Sequence, residues 1–281
     1  MSDSFALAAD QLRELDRDRY AASLVIPTEH RGAVQSIFAF SAEVAAIRER
    51  VSEPTPGEIR LQWWVDAVEG EGHGAIASNP VADALFRTLE RHELPGGPLL
   101  RLLAARRFDL YHDPMPDIGQ FEGYAGETVS VLYQYAAMIL AGGPVDEAAD
   151  AAGHLGVAQA LAGHVRAFGY NASRQQLFLP LALFTAHGVR EADIYAGKDS
   201  DGVRAALAQA GDLAQTHAEK AAFAIAGLDA GIKPAFASLA LVRADIRALA
   251  RQIEQPFTAL PAPSAFSRLW SVIWWQLRNG R

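Results

Sequence analysis

No cysteine occurs among the 281 residues. Disulfides, thiolate metal sites and cysteine nucleophiles are excluded together. A basic excess is missing too. With 33 acidic against 25 basic side chains the formal charge is −8. A nucleic-acid partner is not expected, because that footprint needs clustered positive charge. No apolar run approaches the roughly 20 residues that a membrane-spanning helix requires. Met1 to Tyr20 is acidic and amphipathic. It has neither the basic start and apolar stretch of a secretion signal nor the arginine-rich, acid-poor look of a transit peptide, so a cytoplasmic protein is expected. The eight histidines show no H-E-x-x-H spacing, which speaks against zinc. No G-x-S-x-G element supports serine-hydrolase chemistry. The stretch Gly70-Glu71-Gly72-His73-Gly74 lacks the lysine of a phosphate-cradling loop and reads as a plain turn.

What is present is helical periodicity in a chain that is half hydrophobic, enough for one substantial core. Val34, Ile37, Phe38, Val44, Ile47 and Val51 fall at three- and four-residue spacing and share a helix face. Leu61, Trp64, Val65 and Val68 repeat the pattern. Strict alternation is scarce, so strands are not expected. Pro56-Gly57 predicts a break between two helices, and Asn79-Pro80 predicts an N-cap with proline at the first helical position. Further turns are expected at Leu94-Pro95-Gly96-Gly97-Pro98, Gly142-Gly143-Pro144 and Pro261-Ala262-Pro263. A helix over 154–171 is apolar on most sides, with Gly156 and Gly163 admitting close neighbours. No acidic residue lies between Asp150 and Glu191. The expectation is all-α: a single domain over 1–281, one bundle of many helices, with a peripheral C-terminal helix over 264–279.

The run Arg19-Tyr20-Ala21-Ala22-Ser23-Leu24-Val25-Ile26-Pro27, followed by Phe38-Ala39-Phe40, resembles the start of the squalene/phytoene synthase family. Leu155-Gly156-Val157-Ala158, then Arg166 and Leu177-Phe178-Leu179-Pro180, resembles its later half, and Tyr124-Ala125-Gly126-Glu127-Thr128 stands where the family has a tyrosine and a V-A-G-T-V-G-like run. The likeness spans most of the chain in order. It implies the isoprenoid synthase fold around a central apolar cavity. It also implies two aspartate-rich motifs on facing helices, because diphosphate is held and ionised through Mg²⁺, a hard, oxygen-seeking ion. Here the first motif's aspartates fall at Ala45 and Glu49, and the second pair at Ala167 and Asn171 with Tyr170 beside it. Glu43 does not replace the acid missing at Ala45, since two residues turn a helix by about 200°. The glutamine and asparagine of the second motif fall at Ala160 and Gly163, and the arginine and tyrosine before Leu-Pro fall at Gln176 and Phe178. The losses concentrate on diphosphate-handling positions.

A narrower likeness is carried by Phe40 to Ala45, by Arg60-Leu61-Gln62-Trp63-Trp64 and by Val165 to Arg174. These look like the complex I assembly factor 6 branch, which shares the synthase fold. That likeness implies an assembly or lipid-associated factor without prenyltransferase activity, with respiratory complex I subunits as partners. The alternative is an active head-to-head prenyltransferase using Mg²⁺; otherwise no cofactor is expected. A second alternative is an isoprenoid- or quinone-binding protein. Glu49 reads either as a residual metal ligand or as a surface residue in Arg48-Glu49-Arg50. His164, Arg166 and Arg174 are candidates for a metal-free anion site, an isoprenoid diphosphate or other lipid being the ligand; against that, Arg166 has the plain reading of an ion pair to another helix. Tyr20, Tyr124 and Glu127 are candidate cavity-lining residues. At the C-terminus Phe266, Leu269, Trp270, Ile273, Trp274 and Leu277 recur at helical spacing with arginines nearby. A peripheral contact with the inner membrane through Trp270, Trp274 and Trp275 competes there with packing on the bundle.

Overall fold

The computed structural model describes residues 3–71, 78–261 and 263–279. Fifteen α-helices run through these residues, with no strand among them. They are α1 (Ser4–Leu15), α2 (Arg17–Ser23), α3 (Thr28–Ala45), α4 (Pro54–Glu69), α5 (Pro80–Arg91), α6 (Gly97–Arg106), α7 (Ile118–Ala125), α8 (Val131–Ala141), α9 (Ala149–Arg166), α10 (Phe168–Ser173), α11 (Leu181–Ala186), α12 (Glu191–Tyr195), α13 (Asp201–Ala226), α14 (Ser238–Glu254) and α15 (Ala265–Asn279). Short 3-10 turns follow α3 and α6, and a π-helical turn, Gly126–Ser130, joins α7 to α8.

Local chemistry sets most boundaries. Asn79 Oδ1 accepts from the amides of Val81 and Ala82 at 2.9 and 3.2 Å, capping α5 with Pro80 at its first position. The carboxylate of Asp16 caps α2 by accepting from the Arg19 amide. Gly70 and Gly142 end α4 and α8 at φ of 81° and 74°, where glycine carries no Cβ penalty. One predicted break moves. Pro56-Gly57 lies in the first turn of α4, not between helices. Prolines are tolerated there because the first-turn amides have no partner in the helix anyway. The Gly70–Gly74 turn lies partly outside the described residues, as does Ala262 of the Pro261–Pro263 turn.

At the centre α9 is buried along most of its length: Leu155, Ala158, Leu161 and Val165 are fully covered. It packs along α13, whose Ala206, Ala210, Ala214, Ala218 and Ala221 are likewise covered. Small side chains at that spacing let the axes come close. Gly156 serves the same end against the π turn: a Cβ built there would stand 2.6 Å from the Ser130 amide nitrogen. Gly163 does not share this role, having no atom within 4 Å of an added Cβ.

The helix expected over 154–171 is two. The chain leaves α9 at Ala167 (φ −91°, ψ 8°) and restarts as α10. Packing overrides continuity here. Phe168 turns in to stack on Phe184 at 5.4 Å and to meet Phe257, and Gly169 lies against the Phe257 backbone. α15 returns to the bundle beside α14 and α2.

Candidate functional site

Segments carrying the two motifs meet in space, at Arg48-Glu49 and Tyr170-Asn171. Ala45 ends α3, and the chain then tightens into a 3-10 turn, Ala46–Glu49. Ala45 and Glu49 border one open cleft of about 400 Å³, together with Asp16, Arg19 and Arg50. Across from Glu49 stand Tyr170 and Asn171 of α10 and Arg174 just after it.

The facing walls are bonded to each other. The Tyr170 hydroxyl donates to Glu49 at 2.5 Å, Arg48 Nε donates to the same carboxylate at 2.8 Å, and Arg174 stands 3.4 Å away. Arg48 also donates through Nη2 to Asn171 Oδ1 at 2.9 Å. Partial burial opposes ionisation of Glu49, yet the bonds from Tyr170 and Arg48 and the nearby arginine charges hold its pKa below the ordinary carboxylate value. Glu49 is thus neither a free ligand nor a purely solvated surface group. Glu43 faces elsewhere, accepting from Gln11 and Asn79, as the helical rotation requires.

Behind this bridge lies a column of rings. The Arg48 guanidinium covers Phe178 at 4.6 Å, Phe178 stacks on His164 at 4.8 Å and 8°, and His164 meets Phe121 edge-on. Phe178 also meets Phe108, which meets Tyr124. Where the family likeness implies an apolar cavity, this stretch of the interior is lined with packed aromatics. Burial, with the charges of Arg48 and Arg106 adding to it, pushes the His164 pKa down to about 3. A pKa that low favours the neutral ring at physiological pH. Deeper still, the Tyr124 hydroxyl donates to Asp109 at 2.6 Å and accepts from Arg106, while Arg106 pairs with Asp109 at 2.9 Å. Burial foremost raises the Tyr124 pKa, so the phenol keeps its proton. Gln176 donates to the Asp109 carbonyl.

The remaining candidates disperse. Arg166 pairs with Asp245 at 3.0 Å and lies 3.9 Å from Asp18. Arg166 is thus engaged by α14 and α2, whereas Arg174 stands at Glu49 and His164 stacks on Phe178. Glu127 turns outward to Arg101 at 3.1 Å. Tyr20 is half-buried against the core. At the C-terminus Trp275 is buried at 8 % exposure and cannot reach a membrane, whereas Trp270 and Trp274 are 53 % and 46 % exposed. α15 is pinned by Arg268, which bridges Asp18 at 3.1 Å and Asp245 at 2.6 Å.

The sequence reading passed over Arg48, Arg106 and Asp109. Arg48 sits in a charged run, which carries no periodic signal, so nothing marked it as the bridging group. Arg106 and Asp109 are spaced i, i+3, with Arg107 between them, and that spacing is the one available clue to a pair.

The fold family implies Mg²⁺ between the two motifs, and the donors here do not fit it. The four motif positions supply one carboxylate, already bonded to Tyr170 and Arg48. Mg²⁺ demands near-octahedral oxygen donors. Among the described residues no three acidic or histidine side chains are placed to hold a metal. No helix among them is long and apolar enough to cross a membrane.

Comparison with known proteins accords with this architecture. The chain is 33 % identical over 235 residues to NADH dehydrogenase (ubiquinone) complex I, assembly factor 6, of Rattus norvegicus, covering 83 % of this chain and 70 % of that protein. It is 33 % identical over 211 residues to the Homo sapiens protein of the same name, of which it spans 63 %, with 75 % of this chain covered. In structure it superposes on squalene synthase HpnC from Alicyclobacillus acidocaldarius with a TM-score of 0.73 at 21 % identity, over 89 % of this chain and 94 % of the other; the two share the isoprenoid synthase fold. Residues 12–271 match the squalene/phytoene synthase family, and the chain belongs to that family.

Proposed function

We propose that this chain is a member of the family without prenyltransferase activity, acting as an assembly factor for respiratory NADH dehydrogenase at the surface of the inner membrane. One observation carries the loss of activity. The walls that would clamp a metal-bound diphosphate are tied to each other, Arg48 to Asn171 and Glu49 to Tyr170 and Arg174. The likeness to complex I assembly factor 6 proteins supports the assembly role. Two measurements test the reading. Deleting the gene should lower NADH:ubiquinone oxidoreductase activity in membranes, and the intact chain should restore it. Purified protein given farnesyl or geranylgeranyl diphosphate, Mg²⁺ and NADPH should form no squalene- or phytoene-like product. Clear product, or normal complex I in the deletion strain, refutes the reading.

A second observation favours an anionic lipid ligand taken without metal. Arg19 is buried and borders the 400 Å³ cleft beside Arg50; its Nη1 donates to Asp16 at 3.0 Å, while its Nε has no hydrogen-bond partner. Arginine suits phosphate through its planar fork. On this reading an isoprenoid diphosphate or a phospholipid raises the melting temperature with EDTA present. No shift for either counts against it.

A further inference from the structure

The last part of the chain differs in charge from everything before it. Residues 243–281 hold six arginines and two acids, a net of +4, which leaves −12 on residues 1–242 of a chain at −8. From Gln255 onward there is no Asp or Glu at all. This basic part folds as α14 and α15.

α15 has two apolar faces. Val272 and Trp275 are buried on the bundle, beside Arg268 and its two carboxylates. The other face is open: Phe266 is 76 % exposed, Trp270 53 %, Trp274 46 % and Leu277 60 %, with Ile273 between them. These positions recur every three or four residues, so they form one stripe. Phe266 stacks on Trp270, Trp270 meets Trp274, and Arg278 lies over Trp274 at 5.4 Å. On α14, packed alongside, Leu241, Val242, Leu249 and Gln252 face the bundle. Arg243, Arg247 and Arg251 follow at four-residue spacing, Arg243 half-buried and Arg247 and Arg251 exposed, and none of them enters a salt bridge found among the described residues.

We infer that the α14–α15 hairpin is a preformed docking face for an anionic lipid bilayer. Exposed tryptophans and phenylalanine suit the headgroup–acyl boundary. Arginines without a salt bridge on the neighbouring α14 match anionic headgroups, while the rest of the molecule, strongly acidic, is repelled by the same surface. The face therefore selects an orientation as well as a lipid charge. The Arg268 bridge makes it part of the rigid bundle, so contact needs no release of α15. This rests on the proposed work at the membrane and names the surface used, but its test needs no complex I.

The test is sedimentation of the intact protein with vesicles of phosphatidylcholine alone or mixed with phosphatidylglycerol. Binding to the mixed vesicles is expected to exceed binding to the neutral ones at least tenfold, and to weaken as salt shortens the Debye length. Replacing Arg243, Arg247 and Arg251 with glutamine should reduce anionic-vesicle binding roughly a hundredfold, at about fivefold for each basic residue near such a surface. Trp270→Ser with Trp274→Ser should reduce binding to both vesicle types. All the changed positions are exposed except the half-buried Arg243, and unaltered melting would show that the variants fold. Absent binding, equal binding to both vesicle types, or binding unmoved by these changes overturns the inference. So does a stable dimer that the tryptophan variant dissolves, since a second copy would then cover the stripe. Vesicle binding with normal complex I in a deletion strain would sink the assembly role and keep this one; the reverse would do the opposite.

Discussion

Gly156 and Gly163 lie two turns apart on α9, and the structure assigns them opposite responses to the same change. Alanine at either position gains helix propensity, worth about 1 kcal/mol in a helix interior and less toward the end, where Gly163 sits. At Gly163 nothing lies within 4 Å of the new methyl, so Gly163→Ala should stabilise by about 0.5–1 kcal/mol. At Gly156 the methyl would stand 2.6 Å from the Ser130 nitrogen and 2.7 Å from its Cα. Both are backbone atoms of the π turn, so no side-chain rotation relieves the clash and the helices must part. Overpacking of this kind costs about 1–3 kcal/mol. With backbone on both sides the upper end applies, leaving a net loss of about 2 kcal/mol after the propensity gain. The two variants should thus differ by about 3 kcal/mol, or roughly 6 °C in melting temperature at about 2 °C per kcal/mol for a chain of this size. Thermal melts followed by circular dichroism read this directly. If Gly156→Ala melts at or above the parent protein, the close approach of α9 to the π turn does not constrain the packing there.

Three further outcomes are expected. Asp109→Ala strands the buried Arg106 charge and should cost about 3–5 kcal/mol, whereas Tyr124→Phe removes one partner of Asp109 and should cost about 1–2 kcal/mol; urea melts that rank them the other way would contradict the buried network. Restoring the motif acids as Ala45→Asp, Ala167→Asp and Asn171→Asp should not by itself create Mg²⁺-dependent diphosphate binding, because Arg48 already donates to residue 171 at 2.9 Å and would neutralise the new carboxylate. Adding Arg48→Ala should release it, and calorimetry showing Mg²⁺ binding without that fourth change would refute the bridge. His164 has its pKa depressed to about 3, so the unfolded chain binds its proton first as pH falls. Its contribution is present in full above pH 6.5 and is lost between about 6.5 and 3, with a slope of up to about 1.4 kcal/mol per pH unit. His164→Phe should flatten the acid limb of a stability–pH profile by up to that slope, and an unchanged limb would mean that the histidine protonates in place.

The all-helical character was legible because it rests on short-range chemistry. Apolar spacing, the Asn79-Pro80 cap and the glycine stops at Gly70 and Gly142 act within a few residues. The missing aspartates at Ala45, Ala167 and Asn171 were equally plain, since an absent side chain needs no fold to be absent. Other features depended on partners far along the chain. Ala167 breaks a helix because Phe184 and Phe257 draw Phe168 inward. Gly156 is needed and Gly163 is not, although local propensity treats them alike. Trp275 is covered while Trp274 is open, a choice made by where Arg268 finds Asp18 and Asp245. Arg48 looked like one charge in a solvated run, and only the approach of α10, 123 residues away in sequence at Asn171, makes it the bridge between the two motifs. Periodicity and composition are sums over neighbours and can be read in one dimension. Which charge meets which, and which face is left open, are set by long-range packing, and these decided what Glu49 is bonded to and which aromatic face of α15 stays exposed.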